Sequence, residues 1–136
     1  MEIKMIKKFN HVGVVVKSIE DALELFVNVL GFEASEVLDL KDMGIKSAMV
    51  SLGEVKFELM EPIDLQGGIQ KFLEKRGGGL HHVSLEVDDM AREREALTSK
   101  GVQLMEKEPL FYNETYISFV HPKSTGGVLM ELIQKV

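Results

Sequence analysis

Two histidines and two glutamates recur at matched positions in this chain of 136 residues. The first pair is His11 and Glu58, 47 residues apart, and the second is His82 and Glu131, 49 residues apart. Each histidine lies early in an apolar run, within residues 9–16 or 80–87, and each glutamate lies in a later apolar run. Imidazole and carboxylate groups bind Co(II), Mn(II), Ni(II), Zn(II) or Fe(II). The recurrence therefore predicts one divalent metal ion held between two similar halves of the chain.

Four such ligands determine which chemistry the metal ion could support. An octahedral ion with four protein ligands keeps two positions for a substrate that carries two neighbouring oxygens. A cation on a carbonyl oxygen stabilises the enolate that forms when the adjacent C–H is deprotonated. A carboxylate beside the ion is a natural base for that proton. We therefore expect proton transfer next to a carbonyl group.

A histidine or glutamate in a strand usually has a structural explanation. A lone histidine is more often packed than ligating, and a lone glutamate is more often solvated. Repetition at matched positions in both halves favours ligation for the four residues above. His81 should face away from His82, which predicts a core or supporting role, and His121 is less distinctive.

Composition excludes several classes of function. The formal net charge is −6, and the 16 Lys and Arg residues never form a run longer than two. This pattern argues against binding to nucleic acid or to an anionic membrane surface. The chain has no cysteine, so a metal site must use nitrogen and oxygen ligands. Residues 1–8 lack an uninterrupted apolar core, and no run approaches the ~20 apolar residues that would span a bilayer. We expect a soluble, cytoplasmic protein.

The order of predicted elements is the same in both halves. In the first half, a strand at 12–16 precedes a helix that is capped by Ser18 and ended by Gly31. Its predicted apolar stripe consists of Ala22, Leu25, Phe26 and Val29. Strands at 34–40, 45–52 and 55–61 follow, with a tight hairpin at 53–54. In the second half, a strand at 80–87 precedes a helix capped by Asp88 or Asp89 and ended by Gly101, with strands at 102–105, 116–121 and 127–133.

This pattern predicts an α+β fold. Two βαβββ modules, residues 8–62 and 79–136, are too small to bury both sheet faces and should pair into one curved-sheet, metal-binding domain. Residues 63–78 form a linker helix and a glycine hinge. Side chains alternate along a strand, so His11 shares its face with Gly13, and His82 shares its face with Ser84. These small neighbours leave room for a ligand beside the metal ion.

Several segments carry a family resemblance that covers nearly the whole chain. These segments are 11–17 (HVGVVVK), 58–62 (ELMEP), 72–77 (FLEKRG), 79–82 (GLHH), 119–124 (FVHPKS) and 127–132 (GVLMEL). The chain resembles the vicinal oxygen chelate superfamily of glyoxalases, bleomycin resistance proteins and dioxygenases. Within this superfamily it is most similar to the methylmalonyl-CoA epimerase family. The resemblance implies a glyoxalase-like fold, a homodimer and an acyl-CoA or other thioester substrate.

The resemblance also implies roles for individual residues. The metal ligands fall on His11, Glu58, His82 and Glu131, and Glu131 is also a catalytic base. Some epimerases carry a second carboxylate base at a position that matches Ser47, which is therefore a candidate substrate-binding residue. Independently of the resemblance, Lys123 is a candidate contact for a phosphate or carboxylate, with a solvated surface lysine as the alternative. The segment 110–116 is bulkier than the glycine-rich loop of the epimerases.

Three functions follow as hypotheses. The leading one is a metal-dependent epimerase that exchanges the α-proton of methylmalonyl-CoA, or of a similar 2-acyl thioester, through a metal-chelated enolate. The second is a lactoylglutathione lyase of the glyoxalase type, which would use the same four ligands. The third is a non-catalytic small-molecule-binding protein of the same fold. An extradiol dioxygenase is a lesser rival, because Glu58 would be a superfluous fourth ligand.

Overall fold

The computed structural model describes residues 6–136 and has the mixed α+β character that the sequence predicts. By their contacts, these residues divide into two compact units, which are described separately. The N-terminal unit contains residues 11–81, and the C-terminal unit contains residues 6–10 and 82–136. Met1–Met5, part of the predicted N-terminal segment, lie outside the described residues. Within residues 6–136, no helix combines the length and the apolar character needed to cross a membrane.

In the N-terminal unit, the strand order is β2-β4-β5-β1. Strand β1 is parallel to β5, and β4 is antiparallel to β2, β3 and β5. The predicted hairpin at 53–54 joins β4 to β5. The strands are β1 (Ile6–Val15), β2 (Glu33–Ala34), β3 (Leu38–Leu40), β4 (Ile45–Leu52) and β5 (Val55–Pro62), with a short 3-10 helix at Lys41–Met43.

The first helix begins as predicted but changes its winding. Helix α1 (Ile19–Leu23) starts at Ser18, whose hydroxyl oxygen accepts a hydrogen bond from the Asp21 backbone N–H at 3.1 Å. It continues as a π-helix over Glu24–Val29, in which each hydrogen bond spans five residues. The wider turn rotates the apolar stripe, so that the prediction for two of its members was wrong: Leu25 and Val29 are exposed. Ala22 and Phe26 do pack on the core of Ala48, Val50 and Leu59.

Helix α2 (Gly68–Arg76) belongs to the N-terminal unit. It starts later than the predicted residue 65, because Asp64 forms a turn in which its carboxylate accepts the Gln66 backbone N–H at 3.0 Å. Its apolar side chains pack on Val15, Ile45 and Met60. The predicted modules, residues 8–62 and 79–136, describe the repeat in the sequence. The contacts instead divide the chain between residues 10 and 11 and between residues 81 and 82.

In the C-terminal unit, β6 (Gly79–Val87) is parallel to β9 (Met130–Lys135), and β9 is antiparallel to β8 (Thr115–Val120). The first residues of β1 lie beside β6, where Asn10 donates a hydrogen bond to Glu86 at 3.2 Å. Helix α3 (Met90–Ser99) is capped by Asp89 and packs its first residue into a core with Val87, Val120 and Leu132. A 3-10 helix at Pro122–Ser124 follows β8.

Two predictions about this unit were wrong. Residues 102–105 do not form a strand, because only an isolated bridge joins Leu104 to Val120. A strand does form in the predicted loop, as β7 (Leu110–Tyr112). Asn113 and Glu114 both adopt a left-handed backbone, with φ of 50° and 57°. This tight turn reverses the direction of the chain and allows β7 to pair with β8.

Candidate metal centre and catalytic carboxylates

In the N-terminal unit, strand register brings His11 and Glu58 together. Gly13 on β1 lies opposite Glu58 on the parallel strand β5. Since alternate residues share a face and paired residues point the same way, His11, Gly13 and Glu58 lie on one face. His11 Nε2 is 3.5 Å from Glu58 Oε1, and the histidine is only 7% exposed. The glycine leaves space beside both side chains.

Ser47 on β4 supports this pair. Its hydroxyl donates a hydrogen bond to Glu58 Oε2 at 2.9 Å, and Ser47 itself is buried. The structure therefore gives Ser47 a role that the sequence did not reveal, which is to orient the carboxylate of Glu58. Its predicted contact with a substrate stays a prediction.

His81, the last residue of the N-terminal unit, lies in the electrostatic field of Glu58. Burial lowers the pKa of His81, the Glu58 carboxylate opposes this by raising it, and Arg76 lowers it further. The imidazole also stands edge-on to the Phe72 ring, with centroids 4.9 Å apart. Burial therefore favours the neutral imidazole of His81. Its predicted supporting role stays a prediction.

In the C-terminal unit, the same register recurs. Ser84 on β6 lies opposite Glu131 on the parallel strand β9, as Gly13 lies opposite Glu58. His82 Nε2 is 4.0 Å from Glu131 Oε1. The Ser84 hydroxyl donates a hydrogen bond of 2.7 Å to the same carboxylate oxygen. All three residues are buried, so this hydrogen bond lies in a region of low dielectric constant.

The two pairs differ in where the supporting hydroxyl comes from. Glu131 is held by Ser84, which occupies the position that Gly13 has in the first unit. Glu58 is held by Ser47, opposite Met60, and the matching position in the second unit is Ile117, opposite Ile133. The repeat thus places the two carboxylates at matching strand positions. The serine that donates a hydrogen bond to each carboxylate, however, comes from a different strand position in each unit.

Phe119 is a member of the site that the sequence analysis missed. It lies opposite Glu131 on the antiparallel strand β8, and its ring stands edge-on to the His82 imidazole with centroids 6.1 Å apart. The available signal was its place two residues before His121, in the segment that resembles the epimerases. That segment indicates the family, but it does not predict that Phe119 contacts His82.

Lys123 lies in the 3-10 helix that follows β8. Its backbone N–H donates a hydrogen bond to His121 Nδ1 at 3.1 Å, so His121 caps this short helix. A structural role therefore accounts for His121. The predicted contact of the Lys123 side chain with an anionic substrate stays a prediction.

The residues present fit a divalent metal ion. Three buried side chains, those of His11, His82 and Glu131, each offer one ligand atom that a metal could use. A buried carboxylate is costly unless a cation or several hydrogen bonds compensate its charge. Nitrogen and oxygen donors of this kind suit the first-row divalent ions.

Comparison with known proteins identifies the superfamily. The family model of the glyoxalase/bleomycin resistance protein/dioxygenase superfamily matches residues 10–119, and the chain belongs to this superfamily. Mouse mitochondrial methylmalonyl-CoA epimerase is 37% identical over 129 residues, 93% of this chain and 72% of that protein. The predicted resemblance and fold class are thereby confirmed.

Two solved structures are similar over nearly their full length. Methylmalonyl-CoA epimerase from Mycobacterium tuberculosis has a TM-score of 0.89 and 30% identity, covering 100% of this chain and 93% of the other. A methylmalonyl-CoA epimerase in complex with methylmalonyl-CoA and NH4+ has a TM-score of 0.86 and 26% identity, covering 96% of each chain. Within its superfamily, the chain is therefore an isomerase similar to the methylmalonyl-CoA epimerases.

Proposed function

We propose that this enzyme epimerises methylmalonyl-CoA, or a similar 2-acyl thioester, by exchanging the proton on the carbon between the two carbonyl groups. The observation that carries the proposal is the buried Glu131 carboxylate, which is oriented by Ser84 and adjacent to His82. The names of the similar proteins support the choice of substrate. The resemblance also leads us to propose a homodimer, which sedimentation analysis would test.

We further propose that His11, Glu58, His82 and Glu131 together hold one divalent cation. The equal register of the two His–Glu pairs and the membership of the superfamily support this assignment. Co, Mn, Ni, Zn and Fe are the candidate metals. When bound, the cation supplies a Lewis acid that polarises the thioester carbonyl.

Glu131 is the proposed base. Its hydrogen bond from Ser84 fixes the direction in which the carboxylate points. Inversion requires a proton to leave one face of the α-carbon and to return on the other. We assign the returning proton to Glu58, to Ser47 together with a water molecule, or to water alone. The protein's own contribution is thus to hold one base rigidly.

Deuterium exchange tests the proposal directly. Protein loaded with Co(II) is incubated with methylmalonyl-CoA in D2O, and deuterium at C2 is followed by proton NMR. We expect exchange in the native protein and a loss of about 10²–10⁴-fold in Glu131→Gln, the usual contribution of a general base. Glu95→Gln, on the exposed face of α3, is the matched control and should exchange at the native rate. Absence of exchange in the native protein with every candidate metal would exclude this substrate.

Lactoylglutathione lyase activity is the second candidate, because Glu58 completes a ligand set of two histidines and two glutamates, which also fits that enzyme class. Incubation with methylglyoxal and glutathione, monitored by the ultraviolet absorbance of the thioester product, distinguishes it from the epimerase. The non-catalytic alternative predicts a purified protein without stoichiometric metal, and elemental analysis tests this.

A further inference from the structure

The backbone of Phe119 is held by a loop and not by the neighbouring strand β9. Its N–H donates a hydrogen bond of 2.6 Å to Glu106 Oε1, and its carbonyl oxygen accepts one of 2.9 Å from the Met105 N–H. Phe119 is also the residue opposite Glu131, and its ring contacts His82 edge-on. The position of this one residue therefore bears on both side chains of the C-terminal pair.

Arg94 of helix α3 lies behind Glu106. Its Nη1 is 3.7 Å from Glu106 Oε2 and donates to the Ser118 hydroxyl at 2.5 Å. Its Nη2 donates to the backbone carbonyls of Glu106 and Lys107 at 3.1 and 2.8 Å. The side chains of Arg94 and Glu106 are only 12% and 18% exposed, and Glu106 Oε2 accepts no hydrogen bond within residues 6–136. Removing two charges from water in this way often costs more free energy than their attraction returns.

In the N-terminal unit, the residue that matches Phe119 is bonded to an uncharged residue. Met49 lies opposite Glu58, as Phe119 lies opposite Glu131. The backbone of Met49 makes two hydrogen bonds with Ser35: its N–H donates to the Ser35 hydroxyl at 3.0 Å, and its carbonyl accepts the Ser35 N–H at 2.8 Å. By register Ser35 matches Met105, and its hydroxyl accepts the hydrogen bond that the Glu106 carboxylate accepts in the other unit.

The residues behind Ser35 are apolar. Helices α1 and α3 begin alike, with the backbone N–H of Ile19 bonded to Glu61 and that of Met90 bonded to Gln134. The fifth residue is Leu23 in α1 and Arg94 in α3. Leu23 packs on a core that includes Ala48, the residue before Met49, where the other unit has Ser118 before Phe119. Leu23, the Ser35 hydroxyl and Ala48 in one unit therefore take the roles of Arg94, the Glu106 carboxylate and Ser118 in the other.

We propose that Arg94, Glu106 and Ser118 are positioning residues, which fix Phe119 and thereby hold the imidazole of His82 in its ligating orientation. The fold itself does not need the ion pair, because the N-terminal unit forms the same element with apolar residues and one serine. An ion pair with several hydrogen bonds fixes the orientation of its partners, because hydrogen bonds are directional. Packing of leucine on alanine has no such directional preference. This inference rests on the proposed function insofar as His82 is a metal ligand.

The triple variant Arg94→Leu, Glu106→Ser and Ser118→Ala tests the proposal, because it removes the buried ion pair and the carboxylate that accepts the Phe119 N–H. We expect it to remain folded, since replacing a buried ion pair by uncharged residues is often tolerated. The Kd for Co(II), measured by calorimetry, should rise about tenfold. This is the lower end of the loss in metal affinity that follows when a residue supporting a ligating histidine is mutated. In long-range proton–nitrogen NMR spectra of the metal-free protein, the ring resonances of His82 should broaden or shift.

Two further variants make the result decisive. Phe119→Leu keeps the backbone but removes the ring that contacts His82, so it should raise the Kd for Co(II) by a similar factor even if the triple variant does not fold. Arg92→Leu, on the exposed surface of the same helix, is the matched control and should leave Kd and spectra unchanged. Native Kd within twofold and native His82 resonances in Phe119→Leu would overturn the proposal. A native protein that binds no Co(II) would instead refute the metal site, and the His82 spectra of the metal-free variants would still decide the positioning role.

Discussion

Removing the hydroxyl of Ser84 perturbs one buried, charge-assisted hydrogen bond. Ser84 is 0% exposed and Glu131 is 6% exposed, so water cannot replace the lost donor without entering the unit. A hydrogen bond to a charged group contributes about 1.5–3 kcal/mol, and at this burial we apply no reduction for solvent screening. We therefore expect Ser84→Ala to lower the free energy of unfolding of the metal-free protein by about 2 kcal/mol at neutral pH.

A double-mutant cycle isolates this interaction. Glu131→Leu alone leaves the Ser84 hydroxyl unsatisfied, whereas the double variant removes both partners together, which is often nearly neutral. The coupling energy from urea denaturation should thus be at least about 1 kcal/mol. Ser99→Ala removes a hydroxyl whose 2.8 Å hydrogen bond to the Ala96 carbonyl is exposed, and it should change stability by less than about 0.5 kcal/mol. A coupling energy near zero for Ser84 and Glu131 would refute the reasoning.

Two further predictions concern stability. Gly78 has φ of +103°, and a Cβ there would lie 2.8 Å from the Val15 carbonyl oxygen, whereas Gly101 has φ of +87° and open space around it. Gly78→Ala should therefore lower the urea midpoint clearly more than Gly101→Ala, and equal midpoints would contradict the clash. Burial lowers the pKa of His81 more than Glu58 raises it, so the folded chain binds this proton less readily than the unfolded chain. Stability should consequently fall as the pH drops below about 6.5, and His81→Gln should flatten the dependence of the free energy of unfolding on pH in that window.

The pairing of His11 with Glu58 and of His82 with Glu131 could be predicted because it depends on short-range rules. Strand alternation fixes which residues share a face, and the internal repeat indicates that both halves obey the same register. The structure shows in addition that each glutamate lies opposite the residue two positions after its histidine. The alternation of side chains along a strand does not specify this register. The register of parallel strands depends on packing across the whole unit.

The errors arose where local patterns and tertiary contacts disagree. Leu25 and Val29 have helical spacing, but the π-helix rotates them away from the core. Residues 102–105 have the composition of a strand, yet this segment joins β8 only through the bridge at Leu104 and through Glu106. The side chain of Glu106 reaches a backbone 13 residues away. Propensity scales do not describe a contact of this kind.

The asymmetry between the two units bears on which carboxylate is the base. If Glu58 and Glu131 had the same task, selection would have no reason to surround them differently. Glu58 accepts a hydrogen bond from Ser47, and Glu131 accepts one from Ser84 and lies opposite Phe119, whose N–H is bonded to Glu106 of a buried ion pair. Orientation matters more for a base than for a ligand alone, because proton transfer requires a short and directed contact. The directional ion pair behind Phe119 lies on the side of Glu131, which supports the proposed assignment of Glu131 as the base.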